Sequence, residues 1–212
     1  MLVIEKFSKS YGDQVILEFS EVSFTQGVYW IKGKNGSGKT TFFKALAGLH
    51  PCRGSVRFEG GPSLHQQPVA YRKKVNYSEA EPQYPGFLTP KDLFNFIGKA
   101  KGASAAQQQF LVDSFGIAAY YEKPCETHSS GMLKKVSLAL AFLGAPELII
   151  LDEPLITLDE AARNILLHLI EDRITREGVT FLLSSHQVLE SEQLPVKGTY
   201  TVANQTLVPD EA

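Results

Sequence analysis

Two stretches of this 212-residue chain carry side chains whose types and spacing could do chemistry. The first, Gly33-Lys34-Asn35-Gly36-Ser37-Gly38-Lys39-Thr40, fits G-x-x-x-x-G-K-[ST] in full. Its glycines let the backbone take positive φ, so that successive N–H groups can converge on one anion. A helix opening near Lys39 aims its positive end at the same point. The Lys39 ammonium can then reach the β- and γ-phosphates of a nucleotide, and the Thr40 hydroxyl can ligate Mg²⁺. Gly33, Asn35, Gly36, Ser37, Gly38, Lys39, Thr40 and Thr41 are the expected phosphate-binding set for ATP.

The second stretch is Leu148-Ile149-Ile150-Leu151-Asp152-Glu153, two acids just beyond four apolar residues. An apolar run of that length, ended by Asp-Glu-Pro, reads as a fully buried parallel strand. In doubly wound sheets, ligands sit at the carboxyl ends of such strands. Asp152 is suited to hold Mg²⁺ beside Thr40, directly or through water. Glu153 is suited to orient and deprotonate an attacking water.

The elements that must position these groups follow from local patterns. Strands are predicted over 2–7, 15–24 and 28–31, separated by turn residues such as Tyr11-Gly12-Asp13. Phe42, Phe43, Leu46 and Leu49 recur at helical spacing after the Gly-rich turn, and Pro51 stops that helix. A short strand is expected over 55–58. Thr89-Pro90-Lys91-Asp92 is a helix start, with Thr89 as N-cap and Pro90 at the first helical position. Ser104 caps a second helix over 104–115. Helices dominate from 89 to 143, which predicts a helical subdomain inserted into an α/β core. A helix over 159–176 should lead through Gly178 into a strand over 179–183, and 199–208 reads as a hairpin turning at Asn204. The fold class is therefore α/β: a P-loop NTPase core with N-terminal antiparallel strands and an inserted helical subdomain. It is read as one domain over 1–212, with the core at about 1–75 and 145–212 and the helical part at about 76–144.

Composition narrows the function classes. Hydrophobic residues at 43% and charged residues at 21% are ordinary for a globular chain with a real core. A formal charge of -2, with acids and bases interspersed, supplies no field to recruit nucleic acid, and none is expected as a partner. The tight basic cluster Arg72-Lys73-Lys74 reads as a solvated lead-in to a strand. Two cysteines, Cys52 and Cys125, make no disulfide framework and point to a reducing compartment. Met1-Leu2-Val3-Ile4 runs straight into Glu5-Lys6, unlike a secretory leader. No uncharged apolar run reaches about 18 residues, so a membrane role would need another chain to provide the span.

The stretch His128-Ser129-Ser130-Gly131-Met132-Leu133-Lys134-Lys135-Val136, just ahead of the acid-bearing strand, resembles the signature of ABC ATPases, usually L-S-G-G-Q, in an S-x-G-M variant. Ser129 and the N–H groups around Gly131 sit at the start of a helix expected over 132–143, another helix end able to take an anion. Other pieces fall in the same family order. Tyr11 is similar to the aromatic that stacks on adenine. Leu158-Asp159 resembles the D-loop, with Thr157 where a Gly is usual. Ser184-Ser185-His186 resembles the switch-histidine segment. The resemblance spans Tyr11 to about His186.

The resemblance implies an ATPase in which Glu153, His186 and Lys39 are catalytic, with ATP and Mg²⁺ as cofactors. It implies a homodimer paired head to tail, each P-loop facing Ser129 and Gly131 of the other copy. The implied setting is the cytoplasmic face of a membrane, against a polytopic permease subunit. The S-x-G-M form and the short tail lean toward export. The alternative is a soluble mechanical ATPase, but such members usually carry a long coiled-coil insertion or tandem ATPase halves. A regulatory module that binds ATP without turnover would not need both Glu153 and His186. One departure stands out: the family usually carries a Gln about 40 residues after the P-loop lysine. That stretch is Val75-Asn76-Tyr77-Ser78-Glu79-Ala80-Glu81-Pro82-Gln83, so Glu79, Glu81 or Gln83 takes the role.

Overall fold

A computed structural model describes residues 1–184 and 194–210. The ten residues Leu2–Tyr11 form β1, which pairs antiparallel with β2 (Gln14–Phe24) across the Gly12-Asp13 turn. After β3 (Gly27–Lys32) and the glycine-rich loop comes α1 (Lys39–Leu46). Next, β4 (Arg53–Phe58) adds to the other side of β1, giving a three-stranded sheet of order β2-β1-β4.

The second sheet holds the chemistry. It adds β5 (Val75–Ser78), β6 (Leu148–Leu151), β7 (Thr180–Ser184), β8 (Val196–Ala203) and β9 (Thr206–Pro209), in the order β5-β6-β7-β3-β8-β9. All neighbours are parallel except β8 and β9, which close a hairpin through Asn204 and Gln205 in left-handed conformation. Because β3, β6 and β7 run the same way, their carboxyl ends meet at one edge, where Gly33, Asp152 and Ser184 sit side by side.

Side chains alternate across this sheet with the two-residue period of a strand. Tyr29, Ile31, Leu148, Ile150 and Leu182 pack with α1 and the antiparallel sheet. Val28, Trp30, Ile149, Leu151, Phe181 and Leu183 face a second core built with the later helices. A strand buried on both faces must be apolar throughout, which accounts for the unbroken Leu-Ile-Ile-Leu of β6.

Between β5 and β6 the chain is helical. Here α2 (Pro68–Lys73) precedes β5, and α3 (Pro90–Lys101), α4 (Ala105–Ser114) and α5 (Ser130–Ala141) follow it. Thr89 caps α3 in a full capping box with Asp92, Ser104 caps α4 and Ser129 caps α5. The sheet keeps residues 75–78, so the helical segment starts slightly later than the composition suggests. Arg72-Lys73-Lys74 leads directly into β5, with Arg72 and Lys73 exposed in the last turn of α2, where basic groups suit the negative helix end. Finally α6 (Glu160–Glu177), capped by Asp159 and ended by Gly178, returns the chain to β7. Among the described residues, no helix is long and apolar enough to cross a membrane.

Candidate functional site

Gly33 leaves β3 with φ 152°, and a Cβ there would lie 2.5 Å from Ser37 Oγ and 2.7 Å from the Val202 carbonyl. Only glycine lets the loop turn this tightly over β8. At the loop's far end Gly38 takes φ 108° as N-cap of α1, and its missing Cβ makes room for Ile16 of β2 at 3.1 Å. The loop thus wraps the amino end of α1. Residues 35–41 line a cavity of about 460 Å³ that Ile16, Ala80, Glu81, Asp152, Glu153 and Ile156 complete.

Lys39 is buried at the floor of this cavity. Its Nζ donates to the carbonyls of Gly33 at 2.7 Å and Lys34 at 3.2 Å. Burial lowers its pKa from the ordinary lysine range, and the charges of Glu153 and Asp152 oppose that shift. An ammonium held by loop carbonyls, at a helix amino end, is ready to exchange those partners for phosphate oxygens.

At the next residue, Thr40 Oγ1 donates to Asp152 Oδ2 at 2.7 Å, joining the two motifs across 112 residues of sequence. Asp152 is 1% exposed and accepts from two further groups: Ser184 Oγ reaches Oδ1 at 2.5 Å, and the Tyr77 hydroxyl reaches Oδ2 at 3.4 Å. Burial and the adjoining Asp152 and Glu79 charges push the Tyr77 phenol well above its usual pKa, so it stays a donor. A hydroxyl and a carboxylate oxygen in contact are hard donors of the kind Mg²⁺ takes, the rest of its shell coming from water and phosphate. Among the described residues no group of three His, Cys, Asp or Glu could hold a metal unaided.

Glu153 is also buried and adopts φ 46°, a left-handed conformation for a non-glycine residue. Its amide donates to Ser184 Oγ at 2.9 Å. The same serine therefore fixes both acids. Sequence reasoning did not select it, although a small hydroxyl residue ending an apolar strand beside the acid pair was a usable signal.

Tyr11, Ser129 and Gly131 do not line this cavity. Tyr11 ends β1, half exposed, with its hydroxyl 3.0 Å from His50 Nδ1 and the Lys9 ammonium 4.3 Å above its ring. Ser129 and Gly131 open α5, where Ser129 Oγ accepts from the Met132 amide. The Thr157 carbonyl sits 3.0 Å from where a Cβ on Gly131 would be. Thr157 takes φ 66°, the conformation a glycine would supply. His186 lies outside the described residues. At the departure from the family pattern, Glu81 lines the cavity beside the glycine-rich loop. Glu79 instead forms an ion pair with Lys44 at 3.4 Å and, with Gln83, lines a neighbouring cavity of about 450 Å³.

A loop of this geometry, leaving β3 and joined to a buried acid at the end of β6 with β7 between them, defines a P-loop nucleotide-binding site, and comparison with known proteins narrows it further. The ABC transporter family model matches residues 20–156. The lantibiotic transport ATP-binding protein SrtF of Streptococcus pyogenes is 33% identical over 196 residues, covering 92% of this chain and 83% of its own. The aliphatic sulfonates import ATP-binding protein SsuB 2 of Burkholderia cenocepacia is 29% identical over 209 residues, covering 96% and 74%. A solved ATP-binding subunit of an ABC transporter superposes with TM-score 0.87 at 27% identity, over 98% of this chain and 88% of that one. The chain belongs to the ABC transporter ATP-binding cassette family. It is an ATP-binding subunit with ATPase activity coupled to transport. Because similarity of this order extends to an import system, it does not select the export direction suggested by the S-x-G-M form.

Proposed function

We propose that residues 35–41 hold the ATP phosphates, that Thr40 and Asp152 hold Mg²⁺, and that Glu153 orients and deprotonates the water that attacks the γ-phosphorus. The observation that carries this reading is the bond from Thr40 Oγ1 to Asp152 Oδ2, which puts loop, acid pair and Lys39 around one cavity. Loop amides and Lys39 neutralise phosphate charge, and the buried Glu153 carboxylate accepts the water's proton as the new P–O bond forms and the bond from the γ-phosphorus to the β–γ bridging oxygen breaks, releasing ADP and phosphate. The chemistry supplied there by Mg²⁺ is charge neutralisation on the phosphate oxygens. Positioning and electrostatics do the catalysis, with no covalent enzyme intermediate.

Ser129 and Gly131 do not line this chain's own phosphate cavity, although they form a second helix end suited to an anion. That supports a second copy, arranged head to tail, whose Ser129 and Gly131 face this cavity. Membrane work then rests on a separate polytopic subunit at the cytoplasmic face, with Tyr11 stacking on adenine and His186 contacting the γ-phosphate. Glu153→Gln tests the central assignment: ATP binding is retained, hydrolysis falls by about 100-fold or more, and an ATP-bound dimer accumulates. Turnover near wild type in that variant would remove Glu153 from the role.

A further inference from the structure

Lys134 is the most deeply buried lysine among the described residues, at 1% exposure, in a helix whose neighbouring Lys135 reaches outward to Asp159. Its Nζ donates to three backbone carbonyls: Glu79 at 2.6 Å, Asp152 at 2.9 Å and Ala80 at 3.1 Å. An ammonium has three donors and no acceptor, so this set saturates it. A buried charge without such partners would be strongly unfavourable.

These bonds join three separate places in the fold. Lys134 lies three residues after Gly131, on the same face of α5 and about 4.5 Å along its axis. Glu79 and Ala80 begin the connection from β5, which carries Glu81 into the phosphate cavity. Asp152 directly follows β6 and precedes Glu153. Below Lys134 the same helix face is fastened twice more. Ser137 meets Ser78 at 2.9 Å, and Asn76 donates to the Ala141 carbonyl at 2.8 Å. Those lower contacts hold α5 to β5, and they reach the acids only at second hand, through the Ser78 carbonyl that accepts from the Asp152 amide at 2.9 Å.

We propose that Lys134 is a positioning residue for hydrolysis. Its ammonium ties the helix bearing Ser129 and Gly131 to the two loops that present Glu81, Asp152 and Glu153. The proposal rests on the role of Glu153 given above. A tilt of α5 relative to the sheet must either break these bonds or move the backbone at 79–80 and 152. Lys134 thereby makes the placement of the catalytic acid depend on where the signature helix stands.

The test compares Lys134→Met, Lys134→Arg, Ser137→Ala and Glu153→Gln in the full chain. The readouts are kcat and KM for ATP, metal-free ATP affinity, melting temperature, and amide hydrogen exchange over 79–82 and 152–154. Lys134→Met keeps the length but removes every donor. Its kcat is expected to fall about tenfold or more, the scale of a slightly misplaced reacting group, while metal-free affinity stays within about threefold. Exchange in both segments should rise together. Lys134→Arg should restore kcat to within about threefold, and Ser137→Ala should lower only the melting temperature. If Lys134→Met turns over at wild-type rate while Glu153→Gln is inactive, the proposal fails and the site assignment survives. If Glu153→Gln stays active, the site assignment fails and takes the proposal with it. An equal loss of kcat in Ser137→Ala also overturns it, since helix anchoring alone would then suffice. Should Lys134→Met not fold, Lys134→Gln, with two donors, takes its place. Misfolding of both would make Lys134 a scaffold residue and end the proposal.

Discussion

Ser184 Oγ donates to Asp152 Oδ1 at 2.5 Å and accepts from the Glu153 amide at 2.9 Å, so one hydroxyl at the end of β7 orients both acids at the end of β6. The parallel pairing of Leu151 with Leu183 makes this possible, because it brings the two strand ends level. A serine suits the position because its single hydroxyl can donate and accept at once.

Ser184→Ala would take a donor from a buried carboxylate and an acceptor from a buried amide. The expected cost is about 1–3 kcal/mol of stability, the desolvation penalty of such groups. Turnover should fall roughly tenfold as the Glu153 carboxylate loses its fixed backbone, with ATP affinity little changed. Denaturant unfolding, steady-state hydrolysis and nucleotide titration together check all three outcomes.

Thr157 holds φ 66° although it is β-branched, and strain of about 1–3 kcal/mol accompanies such a residue in the left-handed region. Its carbonyl also packs closely against Gly131. Thr157→Gly should relieve the strain and keep the carbonyl in place. Part of the gain is offset because glycine loosens the unfolded chain. A net stabilisation of about 1 kcal/mol is expected, read as a higher thermal midpoint with hydrolysis retained. A lower midpoint would count against strain at this position.

The phosphate loop, the acid pair, the helix caps at Thr89 and Ser104 and the hairpin at Asn204 were all legible because each rests on local chemistry. Glycine conformations, a capping hydroxyl or an unbroken apolar run leave a mark within a few residues. What escaped notice depends on distant partners. Of α2 only Tyr71 is buried, so no apolar period announces the helix. Lys134 reads as a surface residue until Glu79, Ala80 and Asp152 surround it with carbonyls. Glu79 and Glu81, equivalent by sequence, separate only once Lys44 pairs with one of them.

Lys101 closes α3 by donating to the carbonyls of Val75, at 2.7 Å, and Arg72. Burial, followed by the charge of Arg72, lowers its pKa from 10.5 to about 8. Between those values the unfolded chain binds more protons than the folded one, so this group's contribution to stability rises as pH increases from about 8 toward 10.5. Below pH 8 the lysine is charged in both states and the cost of burying it is fully present. Unfolding free energy of the wild type, relative to Lys101→Met, should therefore increase from pH 8 to pH 10. A flat difference over that range would show that the folded side chain titrates like a free lysine.

Glu81 and Ala80 reach the phosphate cavity from the β5 connection, while Glu79 turns to Lys44 and Gln83 to the neighbouring cavity. Of the three candidates for the role usually filled by a Gln, Glu81 is therefore the one expected to act on the metal. A carboxylate is a stronger ligand for Mg²⁺ than an amide, directly or through water. It also adds negative charge beside the γ-phosphate, which is favourable only while the cation is bound. These two effects predict opposite changes in one variant. Glu81→Ala should raise the Mg²⁺ concentration for half-maximal turnover by several-fold, yet strengthen ATP binding measured without metal. Glu81→Gln should fall between the two. Glu79→Ala removes a partly exposed ion pair of about 0–1 kcal/mol and should leave the Mg²⁺ requirement within about twofold of wild type. Gln83→Ala should do the same. Titration of Mg²⁺ against turnover, paired with metal-free nucleotide binding, separates the three residues, and a shifted Mg²⁺ requirement in Gln83→Ala alone would transfer the role to Gln83.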